Sequence, residues 1–193
     1  MNKPSQKIRR WYGKFPWIIK PLSKTIMQTE TGCFEIRPSK HGKGCFTLQD
    51  LPTNTVVGVY PGRIINEKQL GVKLSQLTMP QQKGTTDYLV QSKLHSTDKS
   101  KCYLDPTTQG HIDPSWADNP VLYCNEPDIG QSVNLQHVWN YDNDRLELWT
   151  CRPVKKDEEL LVSYGPSYHR NYQVGQVSGS EWVLKEGKLL PAT

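Results

Sequence analysis

A chain of 193 residues accommodates one compact domain with extensions. Its hydrophobic content of 35% and its 14 prolines argue against a helical bundle and for a loop-rich protein of short strands. A formal net charge of +5 favours acidic partners such as nucleic acid or nucleosomes, although a merely soluble basic protein carries the same charge.

Residues 1–32 form a basic, aromatic-containing N-terminal extension. Lys3, Lys7, Arg9, Arg10, Lys14, Lys20 and Lys24 alternate with Trp11, Tyr12, Phe15 and Trp17, and no acid occurs before Glu30. Such a segment can grip phosphates and stack on bases, or dock its aromatic residues on the domain. From Cys33 the pattern changes. Cys33–Arg37 alternates as a strand, Pro38–Gly44 is a turn, and Cys45–Leu48 is a second short strand. Thr55–Tyr60 is a third, closed by Pro61 and Gly62. A short helix is predicted over 66–78. Asp87–Gln91 and Lys101–Leu104 read as a strand pair, Asn134–Trp139 and Arg145–Thr150 as a hairpin, and Glu159–Ser163 as the last strand. The chain is therefore predicted to be β-rich, with short strands in several small sheets and few helices.

Cys33, Cys45, Cys102, Cys124 and Cys151 are odd in number and widely spaced, with no Cys-x-x-Cys pair. They read as reduced thiols of an intracellular protein, and no metal site is expected. No apolar run is long enough to cross a bilayer, and the stretch Phe15–Ile19 is too short for the core of a secretory signal.

Four segments carry chemistry. His41-Gly42-Lys43-Gly44 lets backbone approach a ligand, though read alone it is better explained as a plain hairpin turn. No third glycine follows for a dinucleotide fingerprint, and no Gly-Lys-Ser/Thr ending makes a P-loop. Asp142-Asn143-Asp144 lacks the glycine and glutamate of a calcium loop and reads as a polar turn. Asn125-Glu126-Pro127-Asp128 with Asn134 offers side-chain amides to a ligand. Asp157–Gly165 leads a charged stretch into an apolar one ending in Tyr164-Gly165, so that Tyr164 either lines a cleft or packs in the core.

In their order and spacing these segments resemble the SET domain of protein-lysine methyltransferases. His41–Phe46 with Asp50-Leu51-Pro52 is similar to the family's first motif. Asp87–Val90 followed by Tyr103–Pro106 is similar to its Tyr-Leu-Phe and Ile-Asp-Ala pair. Leu122–Pro127 with Asn134 resembles its Arg-Phe-Ile-Asn-His-Ser and Pro-Asn signature, and Asp157–Gly165 its Glu-Glu-Leu ending in Tyr-Gly. The resemblance covers 33–165, leaving 166–193 as a C-terminal segment able to close the site. Glu126 and Pro127 replace the usual His-Ser, Leu122 stands where an arginine is common, and no cysteine follows Gly165 to build a zinc-binding cap.

The resemblance implies a β-clip type fold with knot-like threading, in which the Asn125 and Tyr164 segments meet and donor and substrate enter from opposite faces. It implies S-adenosylmethionine as cofactor and a lysine of a histone or other basic protein as substrate, bound as an added strand. Tyr164 and Tyr88 are the catalytic candidates. The cofactor-binding candidates are His41, Gly42, Lys43, Gly44, Tyr88, Asn125, Glu126, Tyr164 and Trp182. Tyr168, Tyr172 and Trp182 are candidates to close the site in place of a zinc cap. Glu126, as an acid, would favour a nearby sulfonium. A histone substrate places the protein in the nucleus, where the basic extension can meet the nucleosome. The competing readings are a SET-like binding module without catalysis and a nucleic-acid-binding β-barrel.

Overall fold

The structure is a computed structural model and describes residues 33–97, 100–166, 168–177 and 181–191. The basic arm expected at residues 1–32 lies outside the described residues.

The first alternating segments form a hairpin, β1 (Phe34–Ser39) and β2 (Gly42–Thr47), in register from Phe34 opposite Thr47 to Ser39 opposite Gly42. Gly42 turns the chain at a φ of 100°. Gly44 serves a different need. A Cβ there would strike the Glu159 carboxylate and come within 2.8 Å of Ser39 Cβ. The glycine pair is thus a turn plus a close approach by a distant carboxylate.

β3 (Val56–Val59) and β4 (Arg63–Asn66) follow, then the helices α1 (Glu67–Ser75) and α2 (Met79–Asp87). Asn66 caps α1 by accepting from Gln69 N at 2.9 Å, while Gln69 Oε1 accepts from Asn66 N at 2.9 Å, a reciprocal capping box. The sequence reading places α1 correctly and misses α2. It reads 87–91 as a strand, but Asp87 ends α2 and only β5 (Val90–Gln91) is extended. Thr78, with Gln81 accepting from its backbone N–H at 3.0 Å and Pro80 in the first turn, starts that helix.

β6 (Cys102–Asp105) pairs with both β4 and β5 in a three-stranded sheet ordered β4-β6-β5. β7 (Thr107–Thr108) and β8 (His111–Ile112) make a minimal hairpin, followed by single 3-10 turns at Pro114–Trp116 and Pro120–Tyr123. β9 (Leu135–Asn140) and β10 (Arg145–Thr150) are the predicted hairpin, paired over their whole length. β11 (Trp182–Lys185) and β12 (Lys188–Pro191) complete a five-stranded sheet ordered β12-β11-β9-β10-β3, with β11 parallel to β9. The β11–β12 turn has Glu186 and Gly187 at φ of 53° and 69°, the primed geometry that suits a two-residue hairpin loop.

The predicted last strand is extended but not part of a sheet. Leu160, Leu161 and Val162 are buried, joined to neighbours by single bridges between Phe46 and Glu159 and between Asn125 and Leu161. The Asn134 side chain substitutes for a ladder: its Oδ1 accepts from Leu161 N at 2.7 Å and its Nδ2 donates to Glu159 O at 2.8 Å.

One apolar cluster gathers Cys45, Val57, Cys124, Leu135, Leu148, Leu160 and Val162, and a smaller one Leu104, Trp139 and Leu146. Tyr60 packs against both, and its hydroxyl donates to Tyr88 O at 2.6 Å. The core thereby fixes the backbone of a candidate site residue.

Candidate active site

The buried segment 160–162 delivers Tyr164 to the junction of two cavities. One, of about 450 Å³, is lined by His41, Lys43, Asp87, Tyr88, Leu122, Tyr123, Asn125, Glu126, Tyr164, Tyr168 and Tyr172. The other, of about 680 Å³, lies against Tyr60, Val90, Gln136, His137, Trp139 and Ser163 among others, and shares Asp87, Tyr88, Leu122, Tyr164 and Tyr168 with the first.

Backbone hydrogen bonds align the segments that meet there. Val162 N donates to Asn125 O at 2.9 Å, and Asn134 N and Leu135 N both donate to Leu161 O at 3.0 Å. The Tyr164 hydroxyl donates to Cys124 O at 3.0 Å, and Tyr164 N donates to Glu126 Oε1 at 2.8 Å. Tyr164 keeps 36% of its surface open on the cavity side. Desolvation of its phenol end, reinforced by Cys124 and the neighbouring tyrosines, pushes its pKa well above the usual tyrosine value. The hydroxyl therefore stays protonated at any working pH. Tyr168 packs edge-on to Tyr164 with ring centroids 4.9 Å apart.

Asn125 is held by its amide nitrogen, which donates to Lys43 O at 3.0 Å and to Glu159 Oε1 at 2.8 Å. Glu159 Oε1 also accepts from Ser39 Oγ at 2.8 Å. The space left by Gly44 admits this carboxylate, so the first motif, Asn125 and the 157–165 segment lock together. Asp128 adds a second tie, accepting from Lys40 Nζ at 2.9 Å and lying 3.0 Å from His41 Nε2. These hydrogen bonds hold the Asp128 carboxyl below its usual pKa.

The site candidates fall into three groups. His41, Lys43, Tyr88, Asn125, Glu126 and Tyr164 all line the 450 Å³ cavity. Gly42 and Gly44 shape its hairpin wall without lining it. Trp182 stands apart on β11, opposite Val138 and Pro191, and lines neither cavity. Closure by Trp182 is therefore not what the structure has: the parallel pairing of β11 with β9 carries that residue into the sheet. Tyr168 and Tyr172 do form part of the wall.

The expected role of Glu126 also changes. Its carboxylate is buried, and its cation is Arg170. Arg170 Nε donates to Oε2 at 2.7 Å and Nη2 to Oε1 at 2.6 Å. The Tyr172 hydroxyl donates to Oε2 at 3.1 Å. Arg170 was missed by sequence reasoning. The signal was available: an acid inside an apolar, turn-rich motif demands a paired cation, and Arg170 stands five residues beyond the Tyr-Gly ending.

A second constellation has the outline of a hydrolase triad. Ser92 Oγ lies 2.8 Å from His95 Nδ1, and His95 Nε2 lies 3.2 Å from Asp144 Oδ2. Ser92 is fully buried and its hydroxyl accepts from His95 N at 3.2 Å. That hydroxyl closes a turn and has no route to a substrate. Among the described residues no group of His, Cys, Asp and Glu could hold a metal, and no helix is long and apolar enough to cross a membrane.

Small sheets pack around a buried extended segment, and two cavities meet at the tyrosine that follows it. The sequence model of the SET domain matches residues 42–165, and the chain belongs to the SET-domain family, which is of the protein-lysine methyltransferase type. Among solved structures the chain is similar to the methyltransferase domain of human PR domain-containing protein 2, with a TM-score of 0.47 and 15% identity over 86% of this chain and 99% of that one. No curated protein matches the sequence.

Proposed function

We propose that this protein transfers a methyl group from S-adenosylmethionine to a lysine side chain of a protein, with a histone as the first candidate. The observation that supports this most is the meeting of the two cavities at Tyr88 and Tyr164. In this reading 33–165 is the catalytic domain and 166–193 the segment that closes it.

The 450 Å³ cavity suits the cofactor. Its volume lies within the range of roughly 300–1,000 Å³ usual for small-molecule sites. Five tyrosines, Tyr88, Tyr123, Tyr164, Tyr168 and Tyr172, line it and give it an aromatic wall. The backbone at His41 and Lys43 would hold the methionine part, and the Glu126 backbone would flank the adenine. Asn125 would contact the donor; with its amide nitrogen engaged, the amide oxygen is what it offers among the described residues.

When bound, the cofactor supplies an electrophilic methyl and a positive charge beside the acceptor nitrogen. The attacking lysine must be neutral, and its ordinary pKa of about 10.4 keeps it charged in water. A poorly solvated channel past Tyr88, Leu122 and Tyr164 lowers that value, so no strong general base is required. Tyr164, held by Cys124 O and kept protonated by burial, orients the acceptor nitrogen, and positioning is its main contribution. The basic residues of 1–32 fit an acidic partner, nucleosomal DNA among them.

The test is radiolabelled methyl transfer onto core histones and nucleosomes, with Tyr164→Phe alongside. Label on a histone, reduced by about a hundredfold or more in the variant, is expected from the loss of positioning. An active Tyr164→Phe would remove Tyr164 from the mechanism. If no protein is labelled, calorimetric titration with the cofactor separates a different substrate (binding retained) from a SET-like reader without catalysis (no binding).

A further inference from the structure

Residues 165, 166 and 168–177 close the cavity without belonging to any helix or sheet. Arg170 and Glu126 account for much of what holds them. The Arg170 guanidinium makes two bonds to the Glu126 carboxylate, then donates from Nη2 to Gly165 O at 2.7 Å and from Nη1 to Tyr168 O at 2.9 Å. Glu126 in turn takes Tyr164 N on Oε1 and the Tyr172 hydroxyl on Oε2. Both carboxylate oxygens therefore carry two donors, and the side chain is only 1% exposed. Past this hub the segment is tied by backbone bonds from Gly175 N to Pro127 O at 2.8 Å and from Gln176 N to Gln131 O at 2.9 Å.

One carboxylate thus connects the candidate catalytic tyrosine, both closing tyrosines and the 125–128 wall. We infer that Glu126 and Arg170 are positioning residues for methyl transfer: their ion pair straps Gly165, Tyr168 and Tyr172 over the cofactor cavity and sets the backbone of Tyr164. This rests on the reading of the 450 Å³ cavity as the cofactor site. It also explains why an acid can stand at position 126. A charge buried among tyrosines would be costly alone, but a bidentate guanidinium with two further donors satisfies it fully. The acid and Arg170 together take the place of a metal-bound cap.

Two conservative variants test this. Glu126→Gln keeps an acceptor for Tyr164 N and loses the charge, while Arg170→Lys keeps the charge and loses the fork. Each weakens charge-assisted hydrogen bonds, so the KM for S-adenosylmethionine and the Kd for S-adenosylhomocysteine are expected to rise roughly tenfold to a hundredfold. The kcat should fall by less, because the Tyr164 hydroxyl bond to Cys124 O is untouched. A merely structural role would lower the active fraction and leave KM alone. Combining the two substitutions should add little to either. Amide hydrogen exchange gives a readout independent of activity. The amides of Tyr164, Gly175 and Gln176 should exchange faster in both variants, while those of β9 and β10 keep their protection. Unchanged exchange at these three amides, or a kcat loss at constant KM, overturns the proposal. If the wild-type protein neither binds cofactor nor methylates, the functional reading fails, and the exchange measurement alone decides whether the strap exists.

Discussion

The β9–β10 hairpin and the segment from Gly165 to Val177 both contribute to the wall of the larger cavity and are held in opposite ways. The hairpin pairs residue by residue from Arg145 opposite Asn140 to Thr150 opposite Leu135, and puts Leu135, Val138, Leu146 and Leu148 into the core at 0–1% exposure. Its order is spread over a ladder and a packed face, so no single polar group is indispensable. The closing segment has no ladder. Its place depends on one carboxylate, one guanidinium and a few backbone bonds. Distributed order gives a rigid floor. Concentrated order gives a wall that can be built on a segment without a ladder, and that a single substitution can loosen without unfolding the rest.

The sharpest way to break the contrast is to attack the floor. Leu148→Ala removes a side chain that is 1% exposed within the main cluster, and such truncations cost about 2–5 kcal/mol. Urea denaturation should show this as a lower midpoint by every probe at once, because the loss belongs to the shared core. A loss confined to the cavity wall would mean that the hairpin is no more cooperative with the fold than the strap.

Gly44→Ala comes next and tests the seam between the two regions. The new methyl would meet the Glu159 carboxylate and lie 2.8 Å from Ser39 Cβ, in a space with little room to yield. Overpacking of this kind costs about 1–3 kcal/mol. Because Glu159 Oε1 also takes the Asn125 amide, the displacement should weaken cofactor affinity in calorimetric titration as well as stability. Lower stability with unchanged affinity would detach Asn125 from the cofactor site.

How far the sequence reveals these regions follows from the same contrast. The β1–β2 and β9–β10 hairpins are legible because alternation and turn residues are local signals, and so is α1 with its Asn66 cap. The β11–β12 hairpin went unread although Glu186-Gly187 separates two apolar runs, since the parallel partner of β11 lies over forty residues upstream. The Glu159–Ser163 segment looks like a strand and behaves as a buried extended thread, because the Asn134 side chain takes the ladder's place. Within the site, His41, Lys43, Tyr88, Asn125, Glu126 and Tyr164 come together as their motifs imply. The acid at 126 calls for a cation, but that Arg170, 44 residues away, supplies it does not show in any local pattern. Neither does the exclusion of Trp182, which depends on which sheet β11 joins.

The smallest expected effect concerns an ion pair at the edge of the β4-β6-β5 sheet, outside both regions. Asp113 accepts from Arg63 Nη2 at 2.6 Å and from Ser115 N at 3.0 Å, tying β4 to the 3-10 turn that follows. Arg63 and these hydrogen bonds lower its pKa to about 2. An unfolded aspartate titrates near about 3.9, so the folded state holds this proton less tightly. The contribution is then fully present above the unfolded value and is lost as the pH falls through the folded one. Asp113→Asn should therefore be less stable than the wild type at neutral pH. In urea unfolding the gap should narrow as the pH is lowered from about 4 to about 2, where the wild-type carboxyl also becomes neutral. A gap that stays constant over that window would mean that the substitution acts through the shape of the turn and not through the Arg63 ion pair.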